Sequence, residues 1–512
     1  MAALAACLYF FKLGSFSLYD AAETTYGEFV KNMLRSGDWL TLHYNGAVIF
    51  DKPPLYYWLA ALISRLTGFN EWAMRLPAAV SGVLTVAVTY LLGKKFYNER
   101  TGLLAGLIVM AAFQFLVQSR IAELDVVLTL FMTLSVYLFY LGYTTGDRKY
   151  YFWSYFPLAL AVLIKGLLGV ALPAFAIFLF LLFKKELRKA KEFHILPGLL
   201  IIFVIGLPWY LAEYLIHGKV FLDFAFGFLF MSRFQGVVAG HTGPWYYYFL
   251  ALILGFAPWS QFLPVALWQT FKRRRSDPEL LTLCFILPAF IVFSIAKTKI
   301  PNYVLPLYPF LVIMAAALWD RFFADPARER KAFIISNACF AVVIALIFIG
   351  VIILGNSNYP SQYAALMPSI LTLAAVLVAG SLLSVVFFLA KAYRLSFAAI
   401  PAMVFAIALV LTVNALPLVE SYKGAKPLGR ELAAAIKPGQ KIAAYETGNR
   451  PSVVLHSPTT VSFLTREAEL DSFLAARRGY AFTTTDEYEK IKPRLPGGAK
   501  IFDKKGDLLV IY

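Results

Sequence analysis

Apolar runs long enough to cross a bilayer recur from the first residue to about residue 416, and they leave few folds open. A helix needs about 20 largely apolar residues to cross the hydrocarbon core. Runs of this character fall at 1–18, 74–93, 102–119, 125–143, 151–164, 167–183, 195–215, 246–268, 279–296, 303–320, 332–355, 368–390 and 396–416. They predict a polytopic α-helical membrane protein of about 13 transmembrane helices. Composition points the same way: 60% of the 512 residues are hydrophobic and 15% are charged, where a soluble chain carries about 25% charged residues.

The net charge of +17 reads as membrane topology. Lys94, Lys95 and Arg100 separate the second and third runs, Arg148 and Lys149 the fourth and fifth, and Lys184, Lys185, Arg188, Lys189 and Lys191 the sixth and seventh. Lys272 and Arg273–Arg275 follow the eighth, Arg321, Arg328, Arg330 and Lys331 the tenth, and Lys391 and Arg394 the twelfth. Every second loop is basic, so these loops and the N-terminus are expected on the cytoplasmic side. External segments are then 19–73, the turns near 120–124, 165–166 and 297–302, segments 216–245 and 356–367, and everything after 417. No basic stripe with stacking aromatics stands apart from the loops, so nucleic acid is not an expected partner. The first apolar run has no charged leader and more spans follow, so a cleaved signal peptide is not expected. Cys7, Cys284 and Cys339 lie in apolar runs without a CxxC pattern and read as buried thiols.

Two external segments carry structure of their own. In loop 19–73, the amphipathic stretches Ala21–Leu34 and Leu55–Leu66 predict helices lying along the membrane surface. From about residue 418 to 512, Gly, Pro and charged residues become common. Lys441–Tyr445, Ser452–Leu455, Thr460–Phe463 and Gly479–Thr483 read as strands. Glu467–Ala476 and Thr485–Ile491 read as helices, and Ile501–Tyr512 as a hairpin turning at Asp503–Gly506. The prediction is a membrane domain over 1–417 and a small external α/β domain over 418–512.

Ionisable residues near a bilayer are functional candidates, and here they collect on the external side. Asp20, Glu23 and Glu28 follow the first run; a carboxylate there suits activation of an acceptor hydroxyl, or else favours a surface-helix dipole. Asp51-Lys52-Pro53-Pro54 holds a lysine on a constrained backbone ahead of an aromatic helix face containing Tyr56. Such a lysine suits a lipid-linked phosphate, or else snorkels at the interface. Glu123 and Asp125, with Arg120 nearby, open the fourth span, and Lys165-Gly166 sits between two short spans. Arg233, His241 and Trp245 follow in an aromatic loop. Lys297, Lys299 and Tyr303 lie on an external turn, where lysine runs against the positive-inside tendency. Asp51 and His241 are candidate ligands for a divalent metal such as zinc, although two ligands fall short of the usual three or four. Mixed charges of this kind suit an anionic lipid phosphate bound beside a carboxylate.

In this order the motifs resemble the GT-C membrane glycosyltransferases, closest to the aminoarabinose (lipid A) transferase and protein O-mannosyltransferase superfamily. The resemblance runs over about residues 15–310. It is carried by Glu23–Glu28, Asn32–Trp39, Phe50-Asp51-Lys52-Pro53, Leu124-Asp125, Lys165-Gly166, Arg233-Phe234, His241–Trp245 and Ala296–Tyr303. The chain departs from the pattern at three points. Ala22 stands before Glu23, which leaves Asp20 and Glu23 as alternative carboxylates; Thr25 replaces an arginine; Asp51 replaces a glutamate.

The resemblance implies transfer of a sugar from a polyprenyl-phosphate donor to lipid A, another glycolipid or a protein. The reaction would be an inverting displacement on the periplasmic face of the inner membrane. It also implies phosphate binding by Lys52 with Arg233 and Lys299, acceptor activation by Asp20, and Asp125 as second carboxylate. Asp51 and His241 would then order the loops. The alternative is a transporter or lipid flippase, although no repeat or midplane charge cluster stands out. A third reading is a membrane scaffold with an external binding domain.

Overall fold

The computed structural model describes residues 1–225, 242–355, 365–448, 450–476, 479–495 and 499–512. The N-terminal half builds α1 (Ala2–Phe10), α2 (Ala22–Ser36), α3 (Leu55–Thr67), α4 (Glu71–Phe96), α5 (Glu99–Met110), α6 (Phe113–Gln118), α7 (Leu124–Thr145), α8 (Lys149–Lys165) and α9 (Leu168–Lys184). Local signals set several ends. The side chains of Asn70 and Asn98 accept hydrogen bonds from Ala73 N (2.9 Å) and Thr101 N (2.8 Å), capping α4 and α5. Gly37, at φ 76°, closes α2 in the left-handed conformation. Between α4 and α5 the backbones nearly touch. A Cβ on Gly102 would lie 2.6 Å from Tyr90 O and 2.9 Å from Lys94 N, so only glycine fits there.

Among the described residues, six helices are long and apolar enough to cross a membrane, or seven if one bent pair is counted as a span. Several predicted runs prove broken, each at an identifiable place. The first is helical only to Phe10; the chain then turns at Lys12, which has a positive φ. The run 102–119 divides at Ala111-Ala112, where the Phe113 amide donates to Ala257 O (3.0 Å) of another segment. The run 195–215 bends by 47° where Pro208 follows Leu207, and 246–268 is interrupted around Pro258. Proline removes a donor and clashes with the preceding turn. Apolar side chains face outward along the spans, for example Phe175, Phe178 and Phe183 on α9, as lipid contact requires. Cys284 is buried, whereas Cys7 and Cys339 lie on exposed helix surfaces.

Polar contacts sort by membrane end. α4 has 26 residues, a length of about 39 Å, with Arg75 at one end and Lys94 at the other. At the Lys94 end, Lys184 pairs with Asp277 at 2.7 Å, and Asp320 accepts from Asn98 (2.7 Å) and Thr101 (2.9 Å) and pairs with Arg100. All belong to segments predicted to lie on one side. At the Arg75 end, Glu23 meets Arg75, Asp125 meets Lys165, Glu71 meets Lys426 and Asp20 meets Ser452, all from segments predicted to lie on the other.

The C-terminal domain is a five-stranded sheet of order β4-β3-β5-β7-β6, built from β3 (Lys441–Tyr445), β4 (Val461–Leu464), β5 (Gly479–Thr484), β6 (Ile501–Lys505) and β7 (Leu508–Ile511). The short pair β1 (His43–Tyr44) and β2 (Ala47–Val48) lies in the loop between α2 and α3. β3 pairs in parallel with β4 and β5, and β7 pairs antiparallel with β5 and β6. Alternation along β3 sends Ile442 and Ala444 into a core with Leu428, Leu432 and Val453, and Ala443 and Tyr445 into one with Leu470 and Phe473. Ser452–Leu455, expected as a strand, is helical within Pro451–His456. A four-residue apolar run does not distinguish the two periods, and a proline in the first turn favours the helix.

The domain is fastened to the loop between α2 and α3 and to the chain after α1. Asn45 donates to Val461 O (2.8 Å) and accepts from Val461 N (2.7 Å). Ser17 N donates to Glu420 at 3.0 Å.

Candidate active site

Helix ends bring the charges together. Asp125 stands in the first turn of α7 and Lys165 in the last turn of the neighbouring α8, each sign matching its end of the helix dipole. They form an ion pair with side chains 5% and 9% exposed, and the Lys165 ammonium lies 4.6 Å from the centre of the Tyr303 ring. Glu123, immediately ahead of α7, is also buried. Burial, and next the charge of Asp125, push its carboxyl up to about 8, against the pull of Lys52 and Lys165.

Lys52 stands opposite. Its Nζ is 3.0 Å from Asp51 Oδ2, donates to the Tyr26 hydroxyl at 3.1 Å, and lies 5.2 Å from the Tyr26 ring centre. Burial works against the ammonium, yet Asp51, Tyr57 and Glu123 outweigh it and raise its pKa. Tyr26 reaches this point because α2 packs across α3, with the Tyr26 and Tyr57 ring centres 5.3 Å apart. Asp20, just before α2, accepts from Ser452 N and Ser452 Oγ, both at 2.7 Å, and from Thr24 Oγ1 at 3.0 Å. Arg120 donates to the carbonyls that end α1, Leu8 O and Phe11 O, and to Thr412.

These groups line one end of a cavity of about 1640 Å³. Asp20, Glu23, Asp51, Lys52, Arg120, Glu123, Asp125, Lys165 and Tyr303 are in its wall. The other end is apolar: Phe340, Ile344, Leu377, Met403, Val404, Ile407 and Leu411 belong to the last spans.

This geometry has counterparts. Residues 51–211 match the family model described as dolichyl-phosphate-mannose-protein mannosyltransferase. An uncharacterized protein of Aquifex aeolicus is 32% identical over 480 residues, 92% of this chain and 89% of that one. The undecaprenyl phosphate-alpha-4-amino-4-deoxy-L-arabinose arabinosyl transferase 2 of Proteus mirabilis is 32% identical over 333 residues, 63% of this chain. ArnT from Cupriavidus metallidurans, solved bound to undecaprenyl phosphate, superposes with a TM-score of 0.83 over 99% of this chain and 96% of that one, at 22% identity. The chain belongs to the GT-C membrane glycosyltransferases of the aminoarabinose transferase type. Its alignment spans 58% of the Proteus protein's length, while the ArnT fold is matched nearly end to end.

Within this family fold, the expected residues divide. Asp20, Asp51, Lys52, Asp125, Lys165 and Tyr303 meet at the polar end of the cavity. Glu23 borders it, but its carboxylate is committed to Arg75 and to backbone amides. Tyr56 is fully buried and donates to Met74 O at 2.8 Å, away from the cavity wall. Lys299 is buried, and its Nζ donates to Phe293 O (3.0 Å) and Ser294 O (2.5 Å), satisfying carbonyls at the end of the helix Asp277–Ile295. Lys297 is exposed on the same turn, outside the cavity wall. Arg233 and His241 lie outside the described residues. No group of three or more potential metal ligands occurs among the described residues, and Asp51 already faces an ammonium.

Proposed function

We propose that the chain transfers a sugar from a polyprenyl-phosphate donor to an acceptor hydroxyl at the periplasmic face of the inner membrane. The observation that carries this reading is the continuity of the cavity: a charged end opens into an apolar wall on the last spans. An amphiphile with a phosphate head and an isoprenoid tail matches both ends. The names of the relatives, which act on or bind undecaprenyl-phosphate compounds, support the same class of donor.

In the proposed reaction the acceptor oxygen attacks the anomeric carbon and the bond from that carbon to the phosphate oxygen breaks. The phosphate leaves as an anion, so the chief demand on the protein is charge stabilisation and alignment. Lys52 and Lys165 are assigned to the phosphate. Asp20 is assigned to the acceptor hydroxyl, orienting it and taking its proton, and Asp125 sets the position of Lys165. Glu23 is assigned to the scaffold. No step is routed through a metal. An ion shared by Asp51 and His241 is a separate proposal, which transfer lost to EDTA and restored by zinc would support.

The test is transfer of radiolabelled sugar from an undecaprenyl-phosphate donor to lipid A or a glycolipid, using protein in nanodiscs. Asp20→Asn is expected to reduce the rate by roughly 10²–10⁴-fold, the range of general-base catalysis, with donor binding retained. Movement of labelled lipid between leaflets without any transfer would instead favour the flippase alternative.

A pH profile probes Glu123. Below about pH 8 its carboxyl is protonated in the fold; above it, a second negative charge appears beside Asp125 and opposes the incoming phosphate. Donor affinity is expected to fall as pH rises through 8, and Glu123→Gln is expected to flatten that limb. The same raised pKa makes the stability contribution of this group full below about 4.5 and lost as pH rises toward 8.

A further inference from the structure

A second recess lies on the external side, about 480 Å³ in volume, between α2, the start of α4 and the helix Ala425–Ala435 of the C-terminal domain. Four cations line it, Lys31, Arg35, Lys426 and Arg430, against one carboxylate, Glu71. Two of the cations are committed. Lys426 pairs with Glu71, and Lys31 donates to Ser457 O (3.2 Å) and lies 3.5 Å from Glu28. Arg35 and Arg430 are exposed, and among the described residues neither has a carboxylate within 4.0 Å. The recess is therefore left with an excess of positive charge. His456 in its wall registers that field: burial, and then Lys426 with Lys31 and Arg430, push its pKa down to about 4 and keep the ring neutral.

The surroundings are those of an amphiphile. Phe69 in the wall is 38% exposed, and Leu66 and Leu62 on the preceding α3 are 87% and 52% exposed. The recess also shares a wall with the active-site cavity. Leu18 lines the recess, while Tyr19 and Asp20 line the cavity. The helix Pro451–His456 holds Asp20 through Ser452 at one end and presents His456 to the recess at the other. Within this helix the two points are separated by about 6 Å.

We propose that this recess binds a phosphoryl group on a lipid headgroup, with Arg35 and Arg430 as its contacts. On the transferase reading above, on which this last step rests, the lipid is the acceptor. Its phosphate, seated here, holds a hydroxyl of the same headgroup near Asp20. Guanidinium groups suit this task because they grip phosphate oxygens through paired N–H donors.

The test uses the full chain in detergent and native mass spectrometry, with phosphatidic acid, phosphatidylcholine and undecaprenyl phosphate offered separately, and inorganic phosphate as a further arm. The wild type is expected to retain one phosphatidic acid in preference to phosphatidylcholine. Arg35→Ala combined with Arg430→Ala is expected to weaken that retention at least about tenfold, while Arg→Lys at both positions keeps part of it. Both arginines are exposed, so the variants are expected to fold. Equal retention by wild type and the alanine variant would overturn the site. So would loss of undecaprenyl phosphate in parallel, since the arginines would then serve the donor. Binding of inorganic phosphate with no preference for phosphatidic acid would overturn the lipid assignment. If phosphatidic acid is held as expected but no sugar transfer occurs with any acceptor, the transferase reading fails and the phosphoryl site stands.

Discussion

Lys52→Ala is expected to lower sugar transfer by roughly 10²–10³-fold, the usual cost of removing one preorganised group that stabilises developing charge. Little loss of stability should accompany it. The ammonium is fixed in place before donor arrives by Asp51 at 3.0 Å and the Tyr26 hydroxyl at 3.1 Å. A phosphate entering the cavity thus meets a positioned cation. The pair is partly accessible, with side chains 19% and 28% exposed, so the stranded Asp51 carboxylate can be solvated. That limits the cost to the fold to about 1 kcal/mol. Arginine should restore only part of the rate, because a planar fork cannot occupy the place of a compact ammonium between Asp51 and Tyr26. The measurement is single-turnover transfer at saturating donor together with donor binding. Transfer within threefold of wild type would remove Lys52 from the mechanism. A melting temperature lowered in proportion to the lost activity would reduce its role to support of the loop.

How far such a site can be read from the chain depends on what kind of signal each residue leaves. Lys52 and Asp20 were legible because charge beside an apolar run is costly and local. Lys299 carried the same signal for another reason: it satisfies the carbonyls of Phe293 and Ser294. Charge at the membrane boundary marks a need for a cation without distinguishing a ligand from a helix end. Tyr56 and Tyr26 show a related limit. Both sit on aromatic helix faces, and only the crossing of α2 over α3 decides that Tyr26 meets Lys52 while Tyr56 reaches Met74 O. Arg75 left a signal that went unused, since an ionisable residue inside the predicted span 74–93 calls for a partner. Its partner is Glu23, one of the two alternative carboxylates of the first motif. The spans were legible by hydropathy wherever a single helix crosses. They were misjudged where proline or a contact from another segment divides the run, as at Pro208 and at Phe113.

Glu23→Ala or Arg75→Ala is expected to destabilise the fold by about 3–5 kcal/mol, because either leaves an uncompensated charge in the interior. Both side chains are 2% exposed. Glu23 accepts from Arg75 Nε and Nη2, each at 2.8 Å, from Tyr19 N at 2.8 Å, and from Ala122 N. Arg75 donates further to Leu13 O, Phe16 O and Ser17 O at 2.9, 2.9 and 3.1 Å. All five guanidinium N–H groups are thereby used, and the pair joins α2, α4, the chain after α1 and the turn before α7. A fold worth about 5–15 kcal/mol that loses so central a tie should give aggregated protein by fluorescence-detected size exclusion and a melting temperature many degrees lower. The double variant Glu23→Leu/Arg75→Met should recover much of that loss, since replacing both charges removes the desolvation penalty along with the attraction. The alternative, in which Glu23 is the reacting carboxylate, makes the opposite forecast: a well-folded Glu23→Ala protein with transfer abolished. A normal melting temperature joined to complete inactivity would therefore return Glu23 to the chemistry and take Asp20 out of it.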